Sequence, residues 1–330
     1  MDVSPYPWQQ PLFDHFADVL GDGRLPHAIL LTGPEGLGKS QLVNALSARL
    51  LCRRAQGHAV ACGACHDCRM LLAGHHPDVL RVHPADKGKM IRVDAVRDIS
   101  AFVSQTAQQG GYRVIDLSPA ERMNTAAANA LLKSLEEPGA RTVFLLSADI
   151  VSRVMPTIRS RCQQWKLPLP ERQQGLEWLT RHGDMDAEEA LFWWDVAGGV
   201  PLQARMLAEP EQRRLRQQLQ DSFDALIRGG DPVAEAARLD KGALGLILHY
   251  GITWLEDLIR LGTSGDEAGV RNRDLMPLYR QAIKNGRVRD WFKLLDYARE
   301  QRRLVARGAN PNPQLVYEAW LIRWAALLRS

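Results

Sequence analysis

Apolar positions along the chain fall into two textures. In the first, short apolar runs bounded by turn formers alternate with stretches of helical period. HAILLT, from His27 to Thr32, reads as a buried parallel strand. From Lys39 the stretch KSQLVNALSARLLC places Leu42, Val43, Leu46 and Leu50 at helical spacing. DVLRV, YRVIDL and TVFLLS add further strand-like runs, so residues 1 to about 165 read as an α/β domain with a parallel sheet. The second texture begins after the turn-rich KLPLPE, Lys166 to Glu171, where strand patterns stop. Short helical patterns run from Arg172 to Leu207, and longer amphipathic ones from Pro210 to the end, rich in Leu, Trp and Arg. The expected division is therefore 1–166, 167–207 and 208–330, an α/β body followed by all-α segments. The apolar stripes of the last part suit a bundle core, and at least one could pack on another subunit.

Composition changes this picture little. With 330 residues, 45% hydrophobic and 24% charged, the chain has an ordinary globular make-up. No apolar run reaches the roughly 18–20 residues a membrane helix needs. The start MDVSPYPWQQP lacks a basic segment followed by an apolar core, so the expectation is a cytosolic protein without a membrane partner. A net charge of +4 permits contact with nucleic acid without demanding it.

The join between the first strand and its helix carries chemistry. Gly33, Pro34, Glu35, Gly36, Leu37, Gly38, Lys39 and Ser40 fit G-x-x-x-x-G-K-[S/T] at every fixed position. A glycine-rich turn there aims backbone N–H groups at one spot, and the helix dipole adds positive potential. Lys39 would neutralise the β/γ phosphates of ATP, and Ser40 would offer a hydroxyl to Mg²⁺. A chance match is the competing reading, and the strand before and helix after weigh against it.

Four of the five cysteines follow that helix: Cys52, then nine residues, then Cys62, Cys65 and Cys68 as C-x-x-C-x-x-C. Four thiolates can close a tetrahedral Zn²⁺ shell and leave no open position, a structural site. An iron–sulfur cluster or bare thiols are the alternatives, and disulfides suit a reducing cytosol poorly. His58, His66, His75 and His76 lie nearby and read as surface residues, since four sulfurs already satisfy the metal.

Hydrolysis would need more than a cradle. Phosphate-loop motors place an acidic pair at the end of a second strand. In GYRVIDLSPAERM the strand holds only Asp116, and its end reads Leu117-Ser118-Pro119-Ala120-Glu121. Asp116 is a candidate metal contact and Glu121 a fallback base, against the plainer reading of a solvated charge at a helix start. Asn124 or Thr125 caps the next helix, which runs to Pro138 with Leu131, Leu132 and Leu135 on its apolar face. Ser147, at the end of the TVFLLS strand beside Ala148 and Asp149, is placed to sense a γ-phosphate. Arg159 and Arg161 lie in a turn-to-strand region. Unaided, they read as solvated or salt-bridged, although an exposed arginine can stabilise phosphate charge on a neighbour.

The phosphate loop, the four-cysteine insertion, NTAAANALLKSLEEPGARTVFLL and IRSRC occur in this order. Together they resemble the bacterial clamp-loader subunits of the AAA+ family, and among them the delta-prime branch of DNA polymerase III. The likeness is strong over roughly residues 5–207 and extends to the ending NPNPQLVYEAWLIRW. It implies a RecA-like parallel-sheet domain with a zinc insertion, a small helical lid over 167–207 and a helical collar over 208–330 for oligomerisation. It also implies a circular five-subunit assembly with gamma/tau and delta subunits, which opens a sliding clamp and places it on primed DNA. Ser160-Arg161-Cys162 matches the family's SRC motif. By resemblance, Arg161 would be an arginine finger acting in trans on ATP held by an adjacent gamma/tau subunit.

Two departures matter. The Asp-Glu pair of the motor subunits falls on Ser118-Pro119, and the arginine of their lid falls on Leu202, with Arg205 three residues late. The resemblance thus favours a stator, able to bind ATP but with little or no turnover, over an ATP-hydrolysing gamma/tau-like motor. A zinc-containing nucleotide kinase is the reading from another class, and the long helical C-terminal third argues against it.

Overall fold

The computed structural model describes residues 3–57, 59–86, 89–306 and 309–328. They form two compact units, Met1–Gly175 and Leu176–Ser330.

The first unit is built on β1 (Ala28–Thr32), β2 (Val79–Val82), β3 (Arg113–Leu117), β4 (Thr142–Ala148) and β5 (Gln163–Lys166), with α1 (Gln10–Gly21), α2 (Lys39–Leu51), α3 (His66–Leu72), α4 (Val93–Val103), α5 (Thr125–Glu136) and α6 (Pro156–Arg159) around them. All strand pairs are parallel, in the order β2-β3-β4-β1-β5. The three central strands, β1, β3 and β4, are buried throughout, which is why they read as unbroken apolar runs. Side chains alternate between the sheet faces. Leu30, Ile115, Leu117, Phe144 and Leu146 turn to one face and share a core with Ile99 of α4 and Leu131 and Leu135 of α5. The other residues of the period, including Asp116 and Ser147, turn to the opposite face.

α5 follows its sequence signals closely. Asn124 caps it by accepting the Ala127 N–H at 2.8 Å, and it ends at Glu136, two residues before Pro138. β5 is short, and only Trp165 of its four residues is buried, so it carried little apolar signal.

The second unit is helical: α7 (Arg172–His182) leads into it, followed by α8 (Ala187–Val196), α9 (Pro201–Leu207), α10 (Pro210–Ile227), α11 (Pro232–Arg238), α12 (Leu244–Ser264), α13 (Met276–Asn285), α14 (Val288–Ala306) and α15 (Pro313–Leu328). Its core is aromatic. Phe223 stands edge-on to Trp320 and Trp324, and Trp291 lies 5.0 Å from Trp324 between centroids. α12 approaches that cluster at Gly251, where a Cβ would stand 2.1 Å from the Trp320 ring. Buried Arg216 donates to Asp274 and Asn272, and buried Asp257 accepts from the backbone N–H and the side-chain Nδ2 of Asn272. No described helix is long and apolar enough to cross a membrane. The parallel sheet followed by helices bears out the α/β-plus-α architecture of the AAA+ reading.

Candidate functional site

The phosphate loop leaves the end of β1, flanked by β4 and β5. That is the crevice outside the carboxyl ends of the strands where α/β sheets bind ligands. Gly38 caps α2 in the left-handed region, φ 79°. A Cβ there would lie 2.5 Å from the Tyr6 ring, so the position requires glycine. The loop is also braced from the N-terminal segment. Trp8 Nε1 donates to the Leu37 carbonyl at 3.0 Å, and buried Gln9 donates to the Leu37 and Gly38 carbonyls, both at 2.8 Å. Ser40 is exposed in the first turn of α2.

Lys39 is turned inward, onto its own loop and the end of β4. Its Nζ donates to the Gly33 carbonyl at 2.6 Å and the Pro34 carbonyl at 2.8 Å, and pairs with Asp149 Oδ1 at 2.6 Å. The side chain is 6% exposed, so its charge is neutralised within the protein. Asp149 arrives there because β4 pairs with β1, Leu31 opposite Ser147 and Thr32 opposite Ala148. Ser147 itself is buried in β4, one strand from the loop.

Both candidate acids accept hydrogen bonds within the chain. Buried Asp116 accepts from Ser118 Oγ at 2.7 Å and from His83 Nε2 at 2.9 Å. In turn the carboxylate raises the pKa of His83. Glu121 sits in the short 3-10 turn Ala120–Arg122 and accepts the N–H groups of Asp149 (2.8 Å) and Ile150 (3.2 Å). It stands in the first turn of that short helix, as expected, but it is half-buried rather than solvated, and burial raises its pKa. The plainer reading of Glu121 is thus corrected: it braces the turn that carries Asp149.

Arg161 lies in the turn between α6 and β5, with its side chain 36% exposed. It pairs with Glu136, the last residue of α5, at 2.5 Å. Cys162 beside it is buried, which pushes its thiol up to about 12 and leaves it protonated.

Cys52, at the end of α2, Cys62, Cys65 and Cys68 bring their sulfurs within 4.8 Å of one another. A tetrahedral shell with Zn–S of about 2.3 Å would set them roughly 3.8 Å apart, so the four suit one metal ion. N–H groups of Cys62, Cys65 and Cys68 donate to the sulfurs of Cys52, Cys62 and Cys65 at 3.4–3.5 Å. Donation from Ala64 and Cys65 lowers the Cys62 thiol to about 6. All five cysteines are free of disulfides. Of the neighbouring histidines, His66 and His75 are exposed as expected, and His58 lies outside the described residues. His76 departs from expectation. It is buried, accepts the Asp78 N–H at Nδ1 (3.1 Å), and sets Nε2 3.6 Å from Asp67. Burial lowers its pKa and keeps it neutral, a brace beneath the cysteine loop.

Comparison with known proteins decides what this arrangement belongs to. A family model described as "DNA polymerase III, delta subunit" matches residues 8–171, and one described as its C-terminal part matches 210–326. The DNA polymerase III subunit delta' of Pseudomonas aeruginosa is 40% identical over 327 residues, 98% of each chain. That of Escherichia coli is 35% identical, covering 77% of this chain and 76% of its own. The chain belongs to the delta' family of DNA polymerase III subunits. The tau subunit of Salmonella typhimurium is 32% identical over 48% of this chain and 24% of its own length. A gamma subunit-related protein of Thermotoga maritima overlays with a TM-score of 0.43 at 18% identity, covering 97% and 100%.

Membership in the delta' family bears out the clamp-loader subunit expected from the motifs, and with it a place inside a clamp-loader complex. It leaves the nucleotide-kinase reading without support. Within this delta' chain the sequence pointed to the loop, the cysteines, Asp116, Glu121, Ser147 and Arg161. The ion pairs escaped it. Asp149, His83 and Glu136 lie 110, 33 and 25 residues along the chain from their partners. A strand order of β3-β4-β1 is the one signal that would have put Asp149 beside the loop.

Proposed function

We propose that this chain is the stator of its clamp loader: it holds neighbouring gamma/tau and delta subunits in place while the complex loads a sliding clamp onto primed DNA. The lid over 167–207 and the collar over 208–330 serve that assembly. The chain contributes Arg161 in trans to ATP held by an adjacent gamma/tau subunit and turns over little or no ATP itself. One observation carries the reading. The phosphate-loop lysine is already neutralised by Asp149, and the acids nearest a motor's catalytic positions, Asp116 and Glu121, are bound to His83, Ser118 and backbone N–H groups.

Gly33 to Ser40 retain the groups that would hold ATP with Mg²⁺, provided Lys39 exchanges Asp149 for phosphate. Such binding would fix the loop and the subunit interface with little hydrolysis, because Asp116 is held by His83 and Ser118 and Glu121 Oε1 by the N–H groups of Asp149 and Ile150. Cys52, Cys62, Cys65 and Cys68 would hold one structural zinc, with no open position for chemistry. The closeness of the four sulfurs favours a single ion over a cluster of several irons.

The test is ATP hydrolysis by the isolated chain in the presence of primed DNA. Turnover at background supports the stator. Robust turnover abolished by Lys39→Ala would instead make it a gamma/tau-like motor.

A further inference from the structure

The Arg161 guanidinium is fixed from two sides within its own chain. Nε donates to Glu136 Oε1 at 2.8 Å, and Nη2 meets the same oxygen at 2.5 Å. On the other side Nη1 donates to the Thr157 carbonyl at 3.1 Å and to Ser160 Oγ at 3.4 Å. Guanidinium is a planar fork of five N–H donors. Nη2 has two of them, and only Glu136 contacts it among the described residues. One N–H therefore stays open, in a side chain that is 36% exposed.

Among the described residues the Glu136 side chain makes no other polar contact. It ends α5, where a carboxylate has the wrong sign for the helix dipole. Its side chain is 51% exposed, so it packs no core. A pair exposed to this degree adds little to stability. Geometry is what the contact supplies: it takes the edge of the fork nearest the chain and leaves the outer end available.

We propose that Glu136 is a positioning residue for Arg161. It fixes the plane and direction of the guanidinium, so that the outer N–H is already aimed when a neighbouring subunit brings phosphate oxygens to it. The inference rests on the trans role given to Arg161 above. Preorganisation of this kind acts on the rate of the chemical step, since a donor displaced by an ångström loses up to about a hundredfold.

The experiment is a loader reconstituted from full-length subunits, with this chain as wild type, Glu136→Gln, Arg161→Ala or the double variant. Glu136→Gln keeps size and shape while removing the charge, and its melting temperature should stay at the wild-type value. ATP turnover should fall about tenfold in kcat with KM unchanged, by less than in Arg161→Ala. The double variant should match Arg161→Ala alone, because the effect travels through the arginine. A Glu136→Gln loader that turns over ATP at or above the wild-type rate overturns the proposal, as does an additive double variant. Should Arg161→Ala itself leave turnover intact, the trans finger falls and the positioning role falls with it.

Discussion

Lys39 and Asp149 show how one neighbour changes what a residue can do. A phosphate-loop lysine in solvent attracts phosphate; with its Nζ 2.6 Å from a carboxylate it has a competitor already seated. Asp149→Asn should therefore raise the affinity for ATP about tenfold by calorimetry, while lowering stability by about 1–2 kcal/mol, since Asp149 is a third exposed. Unchanged affinity would mean that Asp149 does not compete. A second residue-scale prediction concerns pH. Asp116 raises the pKa of His83 above its ordinary 6.5, so the folded state binds this proton more tightly than the unfolded chain. The pair's stabilisation is fully present below about pH 6.5 and is lost as pH rises through the raised folded value. The unfolding free energy from urea titration should fall across that window in the wild type, by well under 1 kcal/mol because His83 is 45% exposed. His83→Gln should flatten the change.

Among the elements, those with strong local signals are legible in the amino-acid sequence itself. HAILLT, YRVIDL and TVFLLS form the central strands because burial on both faces leaves only apolar residues to choose from. Asn124 and Pro138 mark the ends of α5 by capping chemistry and ring sterics. His76 is misplaced by its sequence for the opposite reason: it follows an exposed His75, and its burial comes from contacts with Asp67 and Asp78 that periodicity does not encode. Two predictions belong at this scale. In α12, Gly251→Ala would put a methyl 2.1 Å from the Trp320 ring and should cost about 1–3 kcal/mol, seen as a lower melting temperature. The cysteine loop should hold one zinc per chain by elemental analysis. Chelation, or Cys65→Ser, should raise amide exchange in residues 52–72 while the sheet stays protected. Iron with visible absorbance would contradict the zinc assignment.

For the whole molecule, the α/β-then-helical order can be read from texture, and the clamp-loader family from a few motifs in sequence. Which parts of the site are already committed cannot, because commitment arises where β3, β4 and β1 lie side by side and tie distant residues together. The phosphate loop is braced by Trp8 and Gln9 and closed on Lys39, while Arg161 is left about a third exposed at another turn. The central claim is that this chain acts on a neighbour's ATP rather than its own. The direct measurement is ATP turnover by a loader reconstituted with wild-type partners and either Lys39→Ala or Arg161→Ala in this chain. Turnover close to wild type for Lys39→Ala and strongly reduced for Arg161→Ala is the predicted result. The reverse pattern, loss with Lys39→Ala and none with Arg161→Ala, would contradict it.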